Sequence, residues 1–405
     1  MKDVFQSDLL AQIKPAAALA IAAKASQKRA EGVPVINLAL GEPDFATPNH
    51  VIEAAIQAMR NGETRYTVPD GTAALKDAVV HKFKRDNNLS FSKENISCAN
   101  GAKQSIYNVL LATLNLGDEV IFSAPHWVSY SDASTLAGGI PKALTSSAQN
   151  GFKLTPDLLE AAITPQSRWV ILNSPGNPSG SVYTSDEYAA LGDVLRRYPR
   201  VLIMSDEIYE HINYLDDPFV SFGQACPDLL DRTVIVNGVA KAYAMTGWRI
   251  GYIAAPAPLA AVVGKIQSQT TANPCSISQA AAIAALIGPQ DFIQTSLAAY
   301  RKRRKLMGDG LERAFGRPQT PPDGAFYFFP SITELLGKQG RDGRTFTSDM
   351  DIADYLLDQA HVACVPGSAF GLPGHIRFSF ATSPEDVQSA LSKVESSLST
   401  RGTNR

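Results

Sequence analysis

From about residue 46 onward the chain alternates helical patterns with short apolar runs, and this alternation restricts the fold more than any other feature. Helix-like segments cover His50–Arg60, Thr72–Arg85, Lys103–Leu114, Pro156–Ala162 and Ser185–Arg197. Strand-like runs cover Glu119–Ser123, Trp169–Asn173, Val201–Ser205, Thr233–Asn237 and Ile250–Ala254. Apolar strands separated by helices indicate a mostly parallel sheet covered on both faces. Right-handed crossovers then bring the strands' carboxyl ends, and the loops after them, to one edge, where ligands bind. The expected fold class is therefore α/β. At 405 residues the chain exceeds what one core usually supports. We expect a large domain over residues 46–290 and a smaller α/β domain built from residues 1–45 and 291–405. A long helical pattern from Gln279 to about Leu311 leads into the second.

A formal net charge of −2 gives no bulk electrostatic attraction to nucleic acid or to a membrane surface, and neither partner is expected. No apolar stretch has the length of a membrane span, and Met1–Gln12 does not read as a signal peptide. Cys98, Cys226, Cys275 and Cys364 form no C-x-x-C pair and read as buried thiols in a reducing compartment. The six histidines show no metal spacing, so no metal is expected. A cytoplasmic enzyme is the starting expectation. Neither a G-x-G-x-x-G after a strand nor a phosphate-binding G-x-x-x-x-G-K is present.

Polar residues at the strand ends carry the chemistry. Lys241 follows the β-branched run Thr233–Val236 and is flanked by Gly238, Ala240 and Ala242, which leave room for a large ligand. Eight residues on, Arg249 adds a permanent cation with planar anion-binding geometry. A desolvated lysine near another cation has a depressed pKa and attacks carbonyls as the free amine. A solvated loop lysine is the bland alternative. Asp206 ends the strand Val201–Ser205, where a buried carboxylate needs a cationic partner, and Tyr209 lies three residues on. A helix N-cap is the commoner use of such an aspartate. Asn173–Gly180 holds two prolines, two glycines and two asparagines, a rigid turn able to aim the Asn177 amide at a ligand. Gly101, Ala102 and Lys103 open a helix, and amides at a helix N-terminus bind phosphate. Trp127, after strand Glu119–Ser123, is placed either to stack on an aromatic ring or to fill the core. Arg377, within a strand pattern, calls for a carboxylate from a ligand or from a structural ion pair.

Taken in order, these pieces resemble the class I aminotransferases, the fold-type-I pyridoxal-phosphate enzymes, and within them the bacterial aspartate aminotransferase branch. The matching stretches are Gly41–Phe45, Tyr66–Gly71, Gly101–Gln104, Pro125–Tyr130, Asn173–Gly180, Ser205–Tyr209, Lys241–Tyr252, Gly324–Tyr327 and Arg377. The resemblance implies a mostly parallel seven-stranded sheet, pyridoxal 5'-phosphate as cofactor, and exchange of an amino group between an amino acid and a 2-oxo acid. It implies that Lys241 is the Schiff-base lysine and later the proton carrier, and that Asp206 partners the pyridine nitrogen. Tyr209 and Asn177 would bond the ring hydroxyl, Trp127 would stack on the ring, and Gly101, Ala102, Lys103 and Arg249 would hold the phosphate. Gly41, Trp127, Asn177 and Arg377 would meet the substrate, the first and last at its α-carboxylate. Tyr66 would reach the phosphate of a neighbouring subunit, which implies a homodimer with shared sites.

The chain also departs from these relatives. Ala240 stands where many have a serine before the lysine, and Lys14-Pro-Ala-Ala-Ala18 replaces a common Lys-Pro-Ser-x-Thr. Fewer hydroxyls near the substrate side chain weaken the case for a second carboxylate. Aspartate with 2-oxoglutarate is the default pair. An aromatic or other amino acid, a side-chain lyase and a non-catalytic binder are the alternatives, and the joint presence of Lys241, Asp206 and Arg377 argues against the last.

Overall fold

The structure is a computed structural model that describes residues 5–13 and 17–398. Seven strands form the main sheet: β1 (Ile96–Ala99), β2 (Glu119–Ala124), β3 (Ile140–Thr145), β4 (Ser167–Asn173), β5 (Leu202–Asp206), β6 (Thr233–Gly238) and β7 (Gly251–Ala254). Their order is β1-β7-β6-β5-β4-β2-β3. All neighbours run parallel except β7, which is antiparallel to both β1 and β6. The expected mostly parallel seven-stranded α/β sheet is present. Because β7 runs backwards, Gly251 at its start pairs with Ala99 and Gly238 at the ends of β1 and β6. That reversal carries Arg249, two residues before β7, to the edge where the parallel strands finish.

Side chains alternate between the two covered faces. Val120 and Phe122 pack with Ile106, Val109 and Trp169 on one side, while Ile121 joins Val170, Leu191 and Leu195 on the other. Every residue of β6 is buried, and Val234, Ile235 and Val236 each contribute about 1.5–3 kcal/mol by leaving water. The helices Pro156–Ala162 and Ser185–Arg196 begin with Thr155 and Thr184, whose hydroxyls accept from backbone amides.

Beyond the sheet, the helix Asp291–Phe315 packs on the helix Pro384–Leu398. Three short antiparallel strands, Val365–Pro366, Ile376–Ser379 and Tyr327–Phe328, lie beside them, and Ile36–Asn37 pairs with Val362–Ala363. The loop after Asn37 crosses to the main sheet's edge. There Asp44 takes both guanidinium nitrogens of Arg303, at 2.6 and 2.9 Å, and Phe45 meets the Tyr300 ring at 5.3 Å.

Three expectations change. The pattern Gln279–Leu311 is two helices, Ser276–Ile287 and Asp291–Phe315, because Gly288 and Pro289 interrupt it. Strand β3 and the helices Ser129–Leu136 and Ala257–Thr270 were not read from the sequence. Cys98, Cys226 and Cys364 are buried thiols, but Cys275 is exposed. Among the described residues no helix is long and apolar enough to cross a membrane.

Candidate active site

The carboxyl ends of β1, β2, β4, β5 and β6 open onto one cavity of about 370 Å³. Its wall includes Lys241, Asp206, Tyr209, Asn177, Trp127 and Arg377, which the sequence spreads over 250 positions. Gly41, Ala102, Lys103 and Arg249 also line it. Gly101 stands just behind: a Cβ there would overlap Arg249 Nη2, so a bare backbone is what admits the guanidinium. Gly251 has a similar part, since a Cβ on it would overlap the Ala102 nitrogen. Tyr66 is the one expected site residue left outside. It is 90% exposed and does not reach the cavity of its own chain. Lys14 to Ala16 lie outside the described residues, as do the side chains of Ala17 and Ala18.

Lys241 sits in a turn just past β6. Its Nζ donates to the Gly41 carbonyl at 2.5 Å and stands 5.7 Å above the Tyr209 ring. Desolvation lowers its pKa to about 8; Glu42 opposes the shift and Arg377 and Arg249 add to it. The depressed lysine expected beside a second cation is thus found, with Arg377 as an additional contributor.

Asp206 ends β5 in register with Asn173 of β4 and Val236 of β6. It is not a helix N-cap, because turn residues follow it. Burial pushes its carboxyl up to about 6, against hydrogen bonds from Tyr130 Oη at 2.6 Å and the Ile208 amide at 3.3 Å. Tyr130 belongs to the Pro125–Tyr130 motif but had no role assigned from sequence. Four residues past Asp206, Glu210 is buried against the Lys82 ammonium and accepts from Asn87 and Asn237, each at 2.9 Å. Burial opposes its ionisation, yet Lys82, then His211, hold the carboxyl below its usual range. This buried cluster fastens the Asp206–Tyr209 loop to β6, the strand that presents Lys241. Asp86 and His211 converge on Glu210 as well, but Lys82 and Arg85 already supply the positive charge there.

Arg377, on strand Ile376–Ser379, is 4% exposed. Nη1 donates to Asn177 Oδ1 at 2.9 Å and Nη2 to the Ala39 carbonyl at 2.5 Å, while Nε has no partner among the described residues. Among the described residues no carboxylate pairs with it, so the structural ion pair weighed from sequence is not what occupies this arginine. Asn177 spends its amide oxygen on Arg377. Trp127 is half-buried and lines the cavity, with the Lys103 ammonium 5.2 Å over its ring and Tyr130 edge-on at 5.4 Å. The helix Ala102–Thr113 starts at Gly101 without a side-chain cap. Arg249 is held beside that helix start by bonds to the Thr246 and Asn100 carbonyls at 2.7 and 3.3 Å. Ser129 and Thr246 bring hydroxyls to the wall, a contribution that Ala240 cannot make. Tyr327, whose hydroxyl lies 2.7 Å from that of Tyr209, is a further residue without a role read from sequence.

Comparison with known proteins identifies the family. The family model described as aminotransferase class I and II matches residues 33–394. The chain is 48% identical over 391 residues to the aspartate/prephenate aminotransferase of Cereibacter sphaeroides, covering 96% of this chain and 98% of that protein. It is also 48% identical to the aspartate aminotransferase of Rhizobium meliloti over 93% of this chain and 92% of the relative. Among solved structures, the aspartate aminotransferase from Rhizobium meliloti superposes with a TM-score of 0.94 at 46% identity, covering 97% and 98% of the two chains. The aromatic aminotransferase from Pyrococcus horikoshii does so with a TM-score of 0.84 at 35% identity, covering 91% and 97%. With its family model matched over most of its length, the chain belongs to the class I and II aminotransferases and is a transaminase.

Proposed function

We propose that the chain exchanges the amino group of aspartate with a 2-oxo acid such as 2-oxoglutarate, using pyridoxal 5'-phosphate. One observation carries the reading: a single cavity holds a lysine of depressed pKa, a buried aspartate and a buried arginine without a carboxylate partner. The residues fit the cofactor. Asp206 has tyrosine and amide donors but, among the described residues, no bonded cation, which suits a protonated ring nitrogen. Gly101, the uncapped helix start and Arg249 form a cradle suited to a phosphate. When bound, pyridoxal phosphate supplies the electron sink for negative charge at the substrate's Cα.

The chain's residues provide the rest. Lys241 supplies the amine that engages the cofactor's carbonyl, and desolvation keeps a useful fraction of it unprotonated near neutral pH. Once a substrate amine takes its place, Nζ would accept the Cα proton and pass it on to the cofactor's carbon rather than back to Cα. Asp206 holds the ring nitrogen's proton, Tyr209 and Asn177 serve the ring hydroxyl, and Trp127 covers the ring. Ala102, Lys103 and Arg249 hold the phosphate, while Gly41 and Arg377 hold the substrate's α-carboxylate. The exposed Tyr66 reaches the phosphate of a second copy, making the working unit a homodimer.

Aspartate is supported by the names of the relatives, two of which are aspartate or aspartate/prephenate aminotransferases. Leu40, Val128 and Ile208 line the same cavity beside Trp127, and this apolar wall supports an aromatic partner as a second reading. A matrix of amino donors against oxo-acid acceptors, scored by kcat/KM, decides between them. Aspartate with 2-oxoglutarate should rank first; a hundredfold preference for phenylalanine or tyrosine over aspartate would transfer the assignment to the second reading.

A further inference from the structure

Tyr327 is almost fully buried, at 1% exposure, on the strand hydrogen-bonded to the one that carries Arg377. Its hydroxyl lies 2.7 Å from Tyr209 Oη, and among the described residues each hydroxyl is the other's only hydrogen-bond partner. Both line the active cavity. A Cβ on Gly41 would overlap Tyr327 Oη, so this hydroxyl is pressed against the backbone of the loop whose carbonyl receives Lys241 Nζ. The pair holds two protons and one bond between them, so one proton is left to point elsewhere. The Arg377 guanidinium bears on which. It sits 4.4 Å above the Tyr327 ring, where a cation makes the phenol a stronger donor. Burial raises both phenol pKa values and the arginine restrains both, but the Tyr327 oxygen adds to the rise at Tyr209 while the bond to Tyr209 restrains the rise at Tyr327.

We propose that Tyr327 is a positioning residue: its hydroxyl donates to Tyr209 Oη and thereby commits the Tyr209 proton to the ligand oxygen in the cavity. This rests on the reading of Tyr209 as donor to the cofactor's ring hydroxyl. It links the arginine that receives the substrate carboxylate to the tyrosine that serves the ring, through one hydroxyl. A chain of two donors is stronger at its end than a single donor, by roughly 10–30% of the bond.

Tyr327→Phe keeps the ring under Arg377 and removes only the hydroxyl; Tyr209→Phe removes the same bond from its other side. Each variant, and the double variant, is loaded with pyridoxal phosphate, and the pH midpoint of the visible band is titrated. The visible band itself reports that the site has formed. Losing a donor leaves the ring oxygen more negative, so its neighbouring proton is held to higher pH. Tyr209→Phe is expected to raise the midpoint by about one unit. Tyr327→Phe should raise it by a few tenths of a unit and add nothing in the Tyr209→Phe background. An unmoved midpoint in Tyr327→Phe, or an undiminished shift in the double variant, overturns the relay. An unmoved midpoint in Tyr209→Phe instead overturns the underlying reading of Tyr209, and the relay falls with it.

Discussion

Arg377→Lys isolates the geometry of carboxylate binding from its charge. The native guanidinium is fixed by Asn177 Oδ1 at 2.9 Å and the Ala39 carbonyl at 2.5 Å, with rings of Tyr327 and Phe370 at 4.4 and 4.9 Å. Those contacts leave Nε without a partner, and each terminal nitrogen retains a second hydrogen, so the fork can offer a carboxylate two parallel bonds. A lysine ammonium keeps the charge but is a point donor on a flexible stem. Losing one charge-assisted bond costs about 1.5–3 kcal/mol, which is roughly a 10- to 150-fold change in an equilibrium constant. Because the carboxylate is held in ground and transition states alike, most of the loss should appear in KM rather than in kcat. The assay is steady-state kinetics with aspartate varied at saturating 2-oxoglutarate, alongside a thermal melt to verify folding. A KM for aspartate within threefold of native would refute the claim that Arg377 takes the α-carboxylate.

Two further predictions follow from the same cavity. Burial raises Asp206 from 3.8 to about 6, so below pH 6 the empty site holds a neutral acid. This group's contribution to stability is present below pH 4 and is lost as pH rises through 6. Cofactor affinity runs the other way, since an ion pair with the ring nitrogen needs the carboxylate. The dissociation constant of pyridoxal phosphate should therefore increase as pH falls through 6, and Asp206→Asn should bind weakly without that pH dependence; an identical dependence in the variant contradicts the assignment. Gly251→Ala places a Cβ against backbone atoms of Gly101 and Ala102, which cannot swing away as a side chain could. It should cost about 1–3 kcal/mol of stability and weaken phosphate binding, read by thermal melting and cofactor titration; an unchanged Tm and dissociation constant would count against the close approach.

The sheet was legible where both faces are covered. In β4, β5 and β6 the continuous apolar runs leave no alternative to a buried strand, and their boundaries fall within two residues of those expected. Strand β3, Ile-Pro-Lys-Ala-Leu-Thr, carries no strand signature because it is an edge: Pro141 and Lys142 suit a strand paired on one side only, and no apolar run marks it. The break at Gly288–Pro289 was visible in the letters, but the apolar pattern on either side hid it.

Candidate site residues were readable when they closed a strand or opened a helix, as Asp206 and Gly101 do, or closely followed a buried strand, as Lys241 does. Contacts made only by tertiary packing were not. Tyr130 reaches Asp206 across 76 positions and Tyr327 reaches Tyr209 across 118. Nothing in local spacing distinguishes either tyrosine from one that fills a core. The opposite case is Tyr66, where resemblance supplies a role that a single chain cannot display, because the side chain faces outward.

The most direct test of the account is a half-reaction on the cofactor-loaded protein given aspartate and no acceptor. The native protein should release one equivalent of 2-oxo acid per site and lose its visible absorbance, and 2-oxoglutarate should restore the band. Lys241→Ala should do neither at a measurable rate. Oxo acid produced beyond one equivalent without an acceptor, or substantial transamination by Lys241→Ala, would contradict a transaminase built around Lys241.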